Sequence, residues 1–132
     1  MTELGRFAEA EAELRSVLDM ERRVLGASHV NVLDARYELA RAVAAQGRHA
    51  EAETELREIV EAETQVLGRD HHLTGDARFA LSRTLARQGR LPEAVAELRD
   101  LLAVQTRTLG PEHPRTSATR ESLAALETGA PF

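Results

Sequence analysis

The sequence predicts an all-α solenoid of six helices in antiparallel pairs, with no strand, and three observations predict it. The stretch Gly47-Arg48-His49-Ala50-Glu51-Ala52-Glu53-Thr54-Glu55-Leu56-Arg57 returns in nearly the same words at Gly5–Arg15 and at Gly89–Arg99. The period is 42 residues, and laying 5–46 over 47–88 gives 21 identities in 42 positions. Within each period the apolar residues form two runs at three- and four-residue steps, which is helical spacing, and glycines separate the runs. Repeats of about 20–50 residues are stacked units, none of which can bury its apolar face alone.

The first predicted helix covers 6–25, with Ala10, Leu14, Val17, Leu18, Val24 and Leu25 as its apolar positions. Its early glutamates (Glu9, Glu11, Glu13) and late arginines (Arg22, Arg23) suit the two ends of the helix dipole. Gly26, Gly68 and Gly110 stand where these helices end, and glycine tolerates the left-handed conformation of a helix stop. The second helix, 30–46, carries Val32, Leu39, Ala40 and Val43 on its inner stripe, and Gly47 closes it. Further helices follow near 48–67, 72–88, 90–109 and 114–128, with Pro92 and Pro114 in first turns, where a missing N–H costs nothing. Small residues recur where paired helices come close: Ala10, Ala52 and Ala94 on one helix type, Ala40, Ser82 and Ala124 on the other. Leu14, Leu56 and Leu98 fill the space between turns.

This spacing resembles the tetratricopeptide repeat, in the 42-residue variety found in kinesin light chains and many bacterial proteins. The stretch from Leu109 to Ala124, beginning Leu109-Gly110-Pro111-Glu112-His113-Pro114, looks like the loop and opening helix of that variety. The resemblance implies a right-handed solenoid in which the opening helix of each repeat lines a concave groove. In that register the chain divides into a half-repeat (6–25), repeats at 30–67 and 72–109, a trailing cap (114–128) and a frayed tail (129–132). Glu3-Leu4-Gly5 then reads as the last turn of an earlier helix. The first helix lacks its usual partner, so Phe7, Val17 and Leu18 are expected to be partly exposed. That phase fits a fragment of a longer array, a misassigned start, or an apolar face that pairs with another chain, giving a homodimer.

Composition narrows the function further. A net charge of −5 disfavours phosphate backbones and anionic membrane surfaces, so neither nucleic acid nor membrane is expected as a partner. No apolar run reaches the length of a membrane helix. The opening residues lack the basic start and apolar core of a signal peptide, and a cytoplasmic location is expected. All 17 basic residues are arginine, and with the abundant alanine this reads as the coding bias of a GC-rich bacterial genome. The chain has no cysteine, hence no thiolate metal site or thiol nucleophile.

No catalytic constellation is visible: there is no phosphate loop, no nucleophile elbow and no His-Glu-x-x-His. His29, His71 and His113 each follow a helix-ending glycine by three residues, but one per repeat places them in successive loops, about 10 Å apart and too far to share an ion. They are read as helix-start capping or packing, and neither metal nor cofactor is expected. Glu51, Glu53, Glu55 and their counterparts read as solvated faces. Arg36, Arg78 and Arg120 flank the packed Leu-Ala pairs and read as structural.

The candidate binding stripe is Asp34, Tyr37, Arg41 and Ala44-Ala45, with its copy Asp76, Phe79, Arg83 and Ala86-Arg87. An aromatic one turn before an arginine offers an apolar shelf beside a bidentate donor, suited to a carboxylate. The resemblance places this stripe on the concave face. One departure limits it: the family often has an Asn-Asn pair before the Leu-Ala of the opening helix, and here Tyr37-Glu38, Phe79-Ala80 and Glu121-Ser122 stand there instead. Kinesin-light-chain cargo recognition therefore does not carry over. The expected function is a non-catalytic protein–protein interaction scaffold that takes an acidic or C-terminal peptide in the groove. The alternatives are a self-association or spacer module working through the first helix, and a regulatory arm of a larger signalling protein.

Overall fold

The structure, a computed structural model, describes residues 3–26 and 29–129. Six helices and no strand occupy them: α1 (Glu3–Leu25), α2 (Val30–Ala45), α3 (His49–Leu67), α4 (His72–Arg87), α5 (Leu91–Thr108) and α6 (Pro114–Thr128). Each packs on the next in sequence, and α2 also touches α4. The result is a solenoid of antiparallel helix pairs. The expected tail lies outside the described residues except for Gly129, which caps α6 in the left-handed conformation.

Local sequence sets the helix boundaries. His29, His71 and His113 are N-caps: each Nδ1 accepts the backbone N–H two residues on, from Asn31, Leu73 and Arg115, at 3.1 Å. A capping acceptor satisfies one of the unpaired donors of a first turn. Gly47 and Gly89 hold φ of +82° and +78°, turning the chain from one helix into the next within a few residues. Gly5, which begins the first copy of the same motif, behaves differently. It lies inside α1, and Glu3-Leu4-Gly5 is that helix's first turn rather than the end of another.

The arginine after each turn glycine explains why Gly-Arg recurs. Arg48 reaches forward to Glu51 (2.6 Å) and back to Glu11 on α1 (2.7 Å), where Gln46 Nε2 also donates (2.8 Å). One repeat later Arg90 bonds Glu93 (2.7 Å) and Glu53, and Gln88 donates to Glu53 (2.9 Å). Glu51 (58%) and Glu93 (52%) are exposed as expected, but the Glu11 and Glu53 side chains are only 13% exposed and not solvated faces. Hydrogen bonds from Gln46, Arg48 and Arg15 hold the Glu11 carboxyl down at about 2. Its contribution to stability is present above the usual carboxylate range and is lost as pH falls through its folded value.

Ala40, Ala52, Ser82 and Ala94 are fully buried at helix crossings, as the alternation of small and large residues requires. Ala10 is half-buried and Ala124 is exposed; among the described helices α6 packs chiefly on α5. Leu56, Ile59, Leu81, Leu85, Leu98, Leu123 and Leu126 run together as the main core, and a second cluster joins Leu18 to Val32, Leu39, Val43 and Ala52. Leu18 is 5% exposed, which corrects its expected place on an open face. Phe7, Ala10, Leu14 and Leu18 lie at three- and four-residue steps and so share one side of α1, the side that meets α2.

The flanking arginines are structural. Arg36 donates to Glu55 (2.7 Å) and Glu58 (2.9 Å), and Arg78 to Glu97 (2.8 Å). Arg120 is exposed and instead donates to the Pro111 carbonyl (2.8 Å).

Candidate functional site

The inner faces of α2 and α4 line one groove of about 610 Å³, with α1 and the start of α3 at its margin. Helical spacing builds it: Tyr37, Arg41 and Ala44 on α2, and Phe79, Arg83 and Arg87 on α4, recur at three- and four-residue steps opposite the buried stripe. All of these residues line the groove. Tyr37 and Phe79 are partly buried against the core below, which fixes their rings as walls. The Arg41 guanidinium stands 5.8 Å above the centre of the Tyr37 ring, within cation–π range. Arg41 is 62% exposed, with the Glu38 carboxylate 3.6 Å away, a loose surface pair. Arg83 and Arg87 are exposed beside it. Such an arrangement can grip a carboxylate bidentately against an apolar wall.

The two aspartates assigned to the same stripe do not join the arginines. Asp34 and Asp76 lie one turn before the aromatics, toward the helix N-termini. Asp76 lines a second, smaller cavity and accepts from Arg115 Nε (3.0 Å) and Nη2 (3.3 Å). The proposed self-association face also divides. Phe7 lines the groove with Ala10 and Leu14 and Leu18 is buried, leaving Val17 at 45% exposure beside Met20 (65%) and Val24 (77%).

Three groups escaped the sequence reading. Glu38 lines the groove as its acidic member, and His49 lines it in the position that Phe7 and Leu91 occupy in the other copies. The third, Glu63, is only 3% exposed on α3. Burial first, then the charges of Asp34 and Asp76, push its carboxyl up to about 7. Its counterparts are Glu21 and Gln105, and that polar column within an otherwise apolar stripe was the available signal.

Because Glu63 holds its proton more tightly when folded, the native state binds more protons than the unfolded chain between about 4.5 and 7. Its contribution therefore declines as pH rises through that window. Glu63→Gln is expected to raise stability at pH 8 by ~1–3 kcal/mol and to leave it nearly unchanged at pH 4. Urea midpoints of the two proteins at each pH measure this. Equal gains at both pH values would remove titration as the cause.

A solenoid of helix pairs whose alternate helices line a groove defines the class, an α-helical repeat protein of the kind that generally serves as a protein–protein interaction scaffold. The tetratricopeptide repeat model matches residues 1–62 and again 37–107, and the chain belongs to that family. It is similar to a kinesin light chain of Podosopora anserina with nearly identical TPR-like repeats. The crystal structure of that protein is 31% identical, with a TM-score of 0.84 over 92% of this chain and 58% of its own. A variant crystal structure of the same protein gives 31% identity and a TM-score of 0.84, over 92% of this chain and 57% of its own. This chain thus spans less than two thirds of the length of those solved relatives. No curated protein matches it. No helix among the described residues is long and apolar enough to cross a membrane.

Proposed function

We propose that this chain is a non-catalytic scaffold that holds an acidic or C-terminal peptide segment of a partner protein in the groove between α2 and α4. The observation that carries the reading is the convergence of Arg41, Arg83 and Arg87 with the aromatic walls Tyr37 and Phe79 in one open groove. Three guanidinium groups against the single carboxylate of Glu38 leave the groove cationic on a protein whose net charge is −5. A ligand carboxylate would be drawn there by field and held by forked hydrogen bonds. A single groove of this size contacts a few side chains, which suits a micromolar contact, and exposed charges make it sensitive to salt. The test is peptide affinity before and after reversing Arg41 and Arg83.

A second reading, self-association through α1, is favoured by the exposed stripe Val17, Met20 and Val24. A patch of this kind marks a surface that another apolar face can cover. If it drives pairing, Val17→Glu converts a dimeric mass in light scattering to a monomeric one with unchanged helical content. A wild-type protein that is monomeric at high concentration would end this reading.

A further inference from the structure

Each internal helix of the stack has two neighbours: α3 packs on α2 and α4, and α5 on α4 and α6. The end helices have one each, α1 chiefly against α2 and α6 chiefly against α5. Their open sides are of opposite kinds. In the 42-residue register α1 matches α3 and α5, and it is open on the side where those helices meet α2 and α4. α6 matches α2 and α4, and it is open on the side where those meet α3 and α5.

Ion pairs mark these sides. Arg36 of α2 bonds Glu55 of α3 (2.7 Å), and Arg78 of α4 bonds Glu97 of α5 (2.8 Å), with the arginine side chains only 11% and 7% exposed. A third member of each series is present, but at opposite ends of the stack: Arg120 on α6 and Glu13 on α1. Arg120 is exposed and turns to the Pro111 carbonyl (2.8 Å). Glu13 is exposed, without an ion pair among the described residues. The packing beside the pair is open in the same way. Val17, one turn after Glu13, is 45% exposed, whereas its copies Ile59 and Leu101 are buried. Ala124, one turn after Arg120, is exposed, whereas its copies Ala40 and Ser82 are buried.

We propose that a second copy of this chain covers these faces, with α1 of one copy packed on α6 of the next and Glu13 accepting from Arg120 of the partner subunit. The inference rests on the self-association reading and names the surface that α1 meets; the groove reading is independent of it. The joint repeats between two chains the contact that α2 makes with α3 and α4 makes with α5. Val17 meets the small Ala124, and a covered arginine–glutamate pair sets the register. Glu127 departs from the pattern: it stands where Val43 and Leu85 are buried, and it is bonded by Arg99 (2.9 Å). A carboxylate there makes the joint weaker than an internal one. Because head and tail differ, the contact is heterologous. Two joined copies leave one α1 and one α6 open, so association continues past the dimer as concentration rises.

The test is the mean mass by light scattering over a wide concentration series, for the wild type, Glu13→Arg, Arg120→Glu, Val17→Glu and an equimolar mixture of the first two variants. Glu13 and Arg120 are exposed in the single chain, so circular dichroism should be unchanged. The wild-type mass is expected to climb beyond that of a dimer. Glu13→Arg and Arg120→Glu each weaken association at least about thirtyfold, the scale of breaking one covered charge pair. Mixing the two variants restores it, because each then offers the charge that the other needs at both joints. A mixture that stays monomeric, or an Arg120→Glu variant that associates like the wild type, overturns the proposal. If Val17→Glu disperses the wild-type assembly while Arg120→Glu leaves it intact, α1 pairs with another surface and only the head-to-tail joint falls. A wild type that is monomeric throughout ends this joint and the self-association reading together.

Discussion

Reversing both groove arginines, Arg41→Glu with Arg83→Glu, is expected to lower the affinity for an acidic peptide at least a hundredfold, to below detection for a micromolar contact. Each substitution removes a charge-assisted donor pair, worth roughly 1.5–3 kcal/mol, and replaces it with a repelling carboxylate. The fold should not notice. Arg41 is 62% exposed and its only carboxylate neighbour among the described pairs is Glu38 at 3.6 Å, a separation at which a surface pair contributes ~0–1 kcal/mol. Arg83 is also exposed. Circular dichroism of the variant should therefore match the wild type, and titration calorimetry should lose its signal. Intact binding in a still-helical variant would place the site elsewhere.

The second large effect concerns the scaffold. Leu98→Ala is expected to destabilise the protein by ~2–5 kcal/mol, the transfer and cavity cost of a truncated core leucine. Leu98 is fully buried on α5, within the core cluster that includes Leu81 of α4 and Leu123 of α6. In a linear stack each unit is held by its neighbours alone, so a cavity there weakens two interfaces at once. Leu91→Ala on the same helix is the control, since Leu91 is 41% exposed. Urea unfolding should separate the two by several-fold in free energy. A Leu98→Ala cost no larger than that of Leu91→Ala would contradict the assigned packing.

The scaffold was legible because the chain states it three times. The 42-residue period fixed six helices whose bounds differ from expectation by a few residues, and the histidine caps follow from their constant offset to the glycine. The first copy misled. Its Gly5 sits where Gly47 and Gly89 turn the chain, yet here it lies within a helix, so the motif alone does not determine the turn. The burial of Glu11 and Glu53 is not legible in the sequence, because alternation along a first turn looks the same whether or not a neighbouring helix supplies a guanidinium. Glu11 and Glu53 find theirs 37 residues away, a pairing that only the stacking of helices creates.

At the candidate site, the arginine and aromatic positions were legible from helical spacing, and the structure brings them to one groove. The same spacing grouped Asp34 and Asp76 with them, but a stripe two turns long extends past the groove's end, and the aspartates lie beyond its aromatic walls. Phe7 and Leu18 were separated from Val17 by their angle on α1, which becomes visible once α2 is seen to cover one side. Glu63 was missed because its polar column with Glu21 and Gln105 shows only when the repeats are laid over one another, and nothing local says that the column is buried. Its environment comes from three helices at once.

The central claim, that the groove holds an acidic segment, is tested most directly by selecting from a randomised peptide display library on the wild type and on the Arg41→Glu/Arg83→Glu variant in parallel. The account predicts that the wild type enriches segments with clustered Asp or Glu, that their binding weakens as salt rises, and that the variant enriches none of them. Enrichment of the same sequences by both proteins, or of apolar sequences indifferent to salt, would contradict it.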